Sequence, residues 1–156
     1  MFVLLFLTWI LLTFSLDWQE LAAGAVVSLV ITLFFEGSYR AIGLPTLSPR
    51  RLWYMLVYVV VLGWAIIKAN LDVAIRILNP KLPIRPGIVV IRTGLTSSMA
   101  KLVLANSITL TPGTFTLDVI GDRLLIHWID VRAEGLEEAT GIISGTFERY
   151  LKEIFE

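Results

Sequence analysis

Hydrophobic positions crowd the first third of the chain. Two nearly uninterrupted apolar runs, Met1 to Leu16 and Leu21 to Phe35, are separated only by Asp17-Trp18-Gln19-Glu20. Each run is somewhat shorter than the roughly 20 residues that cross a bilayer core, but a tryptophan flanked by carboxylates is what a membrane interface accepts. Hydrocarbon offers no water to amide groups, so such runs must be helices. The pattern predicts a transmembrane helical hairpin over 1–36. The alternative is a cleaved signal peptide, with Ala22-Ala23-Gly24-Ala25 as the small-residue cleavage site. Against it, the first basic residue is Arg40, and the sequence beyond the supposed cleavage point is apolar again.

Within the second run, Gly24, Ser28 and Thr32 recur every fourth residue and stack small side chains on one helical face. That face is either a docking surface for a neighbouring helix or ordinary packing inside the hairpin. Glu36 reads as an interfacial carboxylate, and residues 37–51, with Gly43, Pro45 and Ser48-Pro49, read as a loop. A third apolar run starts at Leu52. Beyond Ile67, Lys68, Asp72 and Arg76 repeat every four residues, which predicts a third membrane helix over 52–78 with a charged stripe at its end. The stripe is a solvated or interfacial helix end on one reading and a cation relay on the other.

Asn79-Pro80 and the prolines at 83 and 86 stop that helix, and the patterning changes. Ile88 to Arg92 is a short β-branched strand, and Thr96-Ser97-Ser98 offers an N-cap to a helix over 99–106. Residues 115–120 and 123–129 are two further strands joined by Gly121-Asp122, a two-residue hairpin turn. A last helix carries the apolar stripe Leu136, Ala139, Ile143, Phe147, Tyr150 and Ile154, with Glu148–Lys152 and Arg149–Glu153 spaced for i,i+4 pairing. The expected fold is therefore N-terminal transmembrane α-helices followed by a small α+β domain, β-α-β-β-α, over 79–156.

Composition narrows the function. Hydrophobic residues make up 56% of the 156 and charged ones only 17%, with a mean hydropathy of +0.80, so an integral membrane protein with one small extramembrane domain is expected. Lys and Arg number 13 against 13 Asp and Glu, which leaves no basic footprint for nucleic acid. There is no cysteine, so disulfides, thiol catalysis and thiolate metal sites are excluded. The single histidine, His127, has no partner of its kind, and Asp118, Asp122 and Asp130 are scattered; no metal, cofactor or catalytic group is expected. Between Met1 and Ile67 the ionisable side chains other than tyrosine, Asp17, Glu20, Glu36, Arg40, Arg50 and Arg51, all sit at segment ends, whereas an ion path ordinarily places such groups inside the membrane.

The string Asn106-Ser107-Ile108-Thr109-Leu110-Thr111-Pro112-Gly113-Thr114 reads on its own as a helix C-terminus, ended at Asn106, followed by a hydroxyl-rich turn. Together with Leu117-Asp118, Ile126-His127 and the membrane segments ahead of it, it resembles the E-type subunit of the Mrp (also called Mnh) multisubunit cation/proton antiporters over essentially the whole chain. The resemblance extends to the homologous subunit of membrane-bound hydrogenases and related respiratory complexes. It implies an accessory role in exchanging Na+ for H+, with other hydrophobic subunits and membrane lipid as partners. Asn106, Ser107, Thr109, Thr111, Pro112, Gly113 and Thr114 are then candidate assembly residues. A stand-alone membrane-anchored ligand-binding or sensor module is the competing class. Three spans would put Arg40, Arg50 and Arg51 on one side of the membrane and Lys68, Arg76, Lys81 and Arg85 on the other; four against three favours a cytoplasmic C-terminal domain.

Overall fold

The computed structural model describes residues 1–41 and 48–156. The side chain of Glu36, and Gly43 and Pro45 of the expected loop, lie outside what is described. The chain divides into two compact units, Met1–Leu44 and Pro45–Glu156.

The first unit is the helical hairpin α1 (Phe2–Thr13) and α2 (Trp18–Ala41). Helix α1 ends at Phe14, whose φ of 49° gives a left-handed cap. At 12 residues it is about 18 Å long, short of the ~30 Å hydrocarbon core. Helix α2 is longer than the apolar run foretells, continuing through Gly37 to Ala41 where a loop is expected. The two pack through the small-residue face: a Cβ on Gly24 would lie 2.5 Å from the ring of Trp9, and Ser28 is buried. Thr32 turns its hydroxyl back onto the Ser28 carbonyl at 2.7 Å. Gly24 and Ser28 thus pack inside the hairpin.

The second unit opens with α3 (Pro49–Leu78), which starts three residues before the expected Leu52. Ser48 caps it by accepting from the Arg51 amide, and Pro49 occupies the first turn, where its missing N–H costs nothing. Helices α2, over Trp18–Phe35, and α3 are long and apolar enough to cross a membrane. Then follow β1 (Gly87–Arg92), α4 (Ser98–Leu110), β2 (Thr114–Ile120), β3 (Arg123–Trp128), α5 (Leu136–Ile143) and α6 (Gly145–Phe155). The sheet is antiparallel in the order β1-β3-β2, so the α4 crossover leaves room for β3 between the strands it joins. In β3 the period of two places Leu124, Ile126 and Trp128 in the core and His127 outside. Ile91, Leu104, Ile108 and Leu151 complete a core that also receives Tyr58 from α3.

Two further elements depart from expectation. Helix α4 does not stop at Asn106 but continues to Leu110, because Ser107 and Thr111 bond back to the carbonyls of Val103 and Ser107 and keep the last turns paired. The expected single last helix is interrupted at Ser144, whose hydroxyl donates to the Thr140 carbonyl at 3.0 Å between Gly141 and Gly145. The expected Arg149–Glu153 pair gives way to Arg149 stacked on Tyr150 and Glu153 bonded to Arg50.

Candidate functional site

The string from Asn106 to Thr114 spans the end of α4 and the turn into β2. A helix leaves its last carbonyls unsatisfied, and here hydroxyls take them. Thr111 donates to Ser107 O at 2.8 Å, and Thr114 donates to Ile108 O at 2.7 Å and to Thr111 O at 2.9 Å. Thr116 donates to Ala105 O at 3.0 Å, while the Thr109 hydroxyl accepts the Thr116 amide. Pro112 and Gly113 occupy the central positions of the turn closed by Thr114 N to Thr111 O, and Gly113 has φ +93°, the left-handed third position that glycine supplies. Asn106 is exposed on the helix surface. With their protons given to backbone carbonyls, the Thr111, Thr114 and Thr116 hydroxyls cap the end of the helix.

Ser107 ties the string to α3. Its proton goes to Val103 O at 2.8 Å, so the buried Tyr58 hydroxyl donates to Ser107 Oγ at 2.5 Å. The Tyr58 ring meets Phe147 edge-on with centroids 6.3 Å apart. Tyr58 lies within a run that reads as plain membrane helix, and its only sequence signal is a polar aromatic within that run.

The stripe joins a network that the sequence does not announce. Arg76 bonds Asp72 at 2.8 Å, one turn away, and also Asp130 at 2.9 Å. Arg132 reaches Asp130 at 2.8 Å and Asp72 at 3.4 Å, and Arg85 reaches Asp130 at 3.2 Å. Arg76 further donates to the Pro83 carbonyl at 2.7 Å. Asp130 is 5% exposed. Its carboxyl is held below the usual carboxylate range by the Arg132 hydrogen bond first, then by Arg85 and Arg76, against the opposing push of burial. A carboxylate so engaged stays ionised and has no proton to relay near neutral pH. Lys68 is exposed and takes no part in these ion pairs, so of the charged stripe only Asp72 and Arg76 join the partly buried cluster.

Between α3, the Thr111–Thr114 turn, Trp128 and the α5–α6 junction lies a groove of about 460 Å3. Trp64, Ile108, Trp128 and Phe147 supply apolar walls, and Lys68, Asp72 and Arg132 bring charge to it. Lys68 and Asp72 of the stripe and Thr111, Pro112 and Thr114 of the string, about forty residues apart in the chain, thus line one concavity. Two further carboxylates, absent from the expected site, fix the domain at its other end. Glu148 accepts from the Thr93 hydroxyl and the Gly94 amide, and Glu156 accepts from the Thr96 amide and hydroxyl, which lowers its pKa. No group of three metal-binding side chains occurs among the described residues.

The family model described as Na+/H+ ion antiporter subunit (MNHE) matches residues 2–154. The chain belongs to that family. As an antiporter subunit it is similar along its length to curated relatives: the Na(+)/H(+) antiporter E1 subunit of Staphylococcus haemolyticus (strain JCSC1435) is 33% identical, over 99% of this chain and 94% of that protein. The Na(+)/H(+) antiporter E-type subunit of Bacillus subtilis (strain 168) is 32% identical, over 97% and 94%. A chain in the solved structure of the membrane-bound sulfane sulfur reductase (MBS), an archaeal respiratory membrane complex, is 50% identical and superposes with a TM-score of 0.87, over 99% of this chain and 96% of that one. The protein is a membrane subunit of a cation/proton antiporter module.

Proposed function

We propose that this chain is an accessory, non-conducting subunit of the Na+/H+ antiporter module of a membrane-bound respiratory complex, with its α+β domain on the cytoplasmic side. The observation that carries the reading is the 50% identity, over nearly the whole chain, to a subunit of an archaeal respiratory complex, against 33% to a subunit named for the antiporter. The non-conducting role rests on chemistry already described. The hydroxyls of the Thr-rich turn are spent on helix carbonyls, and Asp72 and Asp130 are spent on guanidinium groups. Asp72 and Asp130, paired with arginine, have no proton to exchange near neutral pH, and the chain's contribution is to hold other hydrophobic subunits in register.

Mild detergent extraction, native electrophoresis and mass spectrometry of the co-migrating band test this. Antiporter-like subunits together with redox subunits are expected. Antiporter subunits alone would replace the respiratory assignment with a stand-alone antiporter, and a free monomer or dimer would revive the anchored sensor module, for which the groove would be the binding site. The side of the membrane is read with Glu137→Cys, an exposed position in a chain without cysteine. Labelling by a membrane-impermeant thiol reagent in intact cells would overturn the cytoplasmic placement.

A further inference from the structure

Helix α3 meets the α+β domain along its entire length. At its start Arg50 pairs with Glu153 of α6 at 2.7 Å. Further along, Tyr58 is buried between Ser107 and Phe147. At its end Arg76 reaches Asp130, beyond β3, at 2.9 Å. At 3.6 residues per turn, all five charged residues of the helix, Arg50, Arg51, Lys68, Asp72 and Arg76, fall on the half that faces the domain or on its flanks. The opposite face runs through Leu52, Leu56, Val60, Ile67 and Leu71, every one exposed and none charged, with Trp64 at its border.

Length and composition alone would let α3 cross a bilayer. The domain forbids it. About 30 Å of the helix's ~45 Å would have to enter hydrocarbon, and the domain is attached from Arg50 to Arg76. The exposed charges of α6 and of the segment after β3, among them Arg149, Glu153 and Arg132, would be carried in with it, where lipid leaves such groups unsolvated. Water is equally excluded on the other side, since an uncharged apolar face of this length is not left bare in solution.

We propose that α3 lies flat in the membrane interface, its uncharged face among the acyl chains of an anionic phospholipid surface and the α+β domain on its aqueous side. Trp53 and Trp64, 65% and 68% exposed, sit where amphipathic indoles prefer to be. Lys68, on the flank, can extend its stem along the helix and its ammonium to lipid phosphate. The charge distribution agrees. A third span would divide the basic residues between the two sides, whereas an interfacial α3 keeps Arg50, Arg51, Lys68, Arg76, Lys81 and Arg85 on one side, as the positive-inside bias favours. The inference rests on the membrane setting of the family, not on which complex owns the chain nor on which side the domain lies.

The chain has no cysteine, so single cysteines at Leu56, Val60, Ile67 and Leu71 can be nitroxide-labelled in the assembled complex, reconstituted in vesicles containing phosphatidylglycerol. Power saturation with oxygen and a nickel chelate reads their depth. All four are expected at one shallow level, about 5–10 Å below the phosphates. A depth that grows toward the middle of the helix and falls again is a span and overturns the proposal. Shielding of all four from both reagents means that another subunit, not lipid, covers the face, and overturns it as well. Should a label on the apolar face impair assembly, Arg50→Cys and Lys81→Cys decide the matter from the ends. In sealed vesicles an impermeant maleimide must reach both from the same side, and reaction from opposite sides refutes an interfacial helix.

Discussion

Gly113→Ala tests the capping device directly. Gly113 has φ +93°, a conformation that a Cβ disfavours. An ideal Cβ there lies 3.0 Å from Cγ2 of Ile129 and 3.6 Å from Cγ2 of Val73. Backbone strain alone is about 1–3 kcal/mol, and the Ile129 contact adds to it because that methyl must yield by a few tenths of an ångström. A loss of about 1.4 kcal/mol already lowers the folded-to-unfolded ratio tenfold. Gly121→Ala is the comparison. Its φ of +64° lies inside the left-handed region that L-residues can reach and nothing lies within 4 Å of the added methyl, so it should lose less on both backbone and packing grounds. Chemical denaturation of the detergent-solubilised chain gives both values. Na+-dependent transport in vesicles, normalised to assembled complex, separates folding from ion chemistry: the Gly113 variant should yield less assembled complex with an unchanged apparent Na+ affinity. Full stability in Gly113→Ala would refute the strain argument, and normal assembly with a shifted Na+ affinity would put an ion site at the turn.

Asp130→Asn removes the shared acceptor of three arginines and should cost about 2–4 kcal/mol by denaturant midpoint, below the loss for a wholly buried pair because Arg85 and Arg132 can turn to water. In the unchanged protein the folded pKa of Asp130 lies below its unfolded value of about 3.9, so its contribution is complete above that value and is lost as pH falls through the folded pKa. Stability should therefore decline below about pH 4, and less steeply in the Asn variant; equal slopes would contradict the assignment. Asp72→Asn, at a half-exposed carboxylate, should cost only about 0.3–0.5 kcal/mol and leave assembly and transport nearly intact; transport lost in an assembled complex would restore the cation relay. Gly24→Val drives a side chain into Trp9 and should loosen the α1–α2 hairpin by about 1–3 kcal/mol, read as increased protease sensitivity of the N-terminal segment in detergent.

What the sequence determined by itself was governed by neighbours in the chain. Strand alternation in β3, the Ser97 cap that accepts from Ala100, the glycine of the Gly121-Asp122 hairpin and the Pro112-Gly113 turn depend on φ preferences, caps and periods of two or 3.6, all complete within a few residues. The string around Thr111 was legible as a hydroxyl-rich turn for the same reason, though its helix ran four residues past Asn106, since which side chains bond back to a carbonyl is settled by the geometry of the finished helix end.

Only tertiary structure decided the rest. Asp130 looked scattered because its partners Arg76 and Arg85 lie some fifty residues earlier in the chain, and a glutamate at 153 cannot announce that its partner is Arg50 rather than Arg149. Helix α3 is the sharpest case. Its domain-facing side is itself largely apolar, with Tyr54, Tyr58, Leu62 and Ala65 set against the core, so the amphipathic period is masked and the run reads as uniformly hydrophobic. What packs against that side is set by contacts as far as 103 residues apart in the chain, such as Arg50 with Glu153, which no local period encodes.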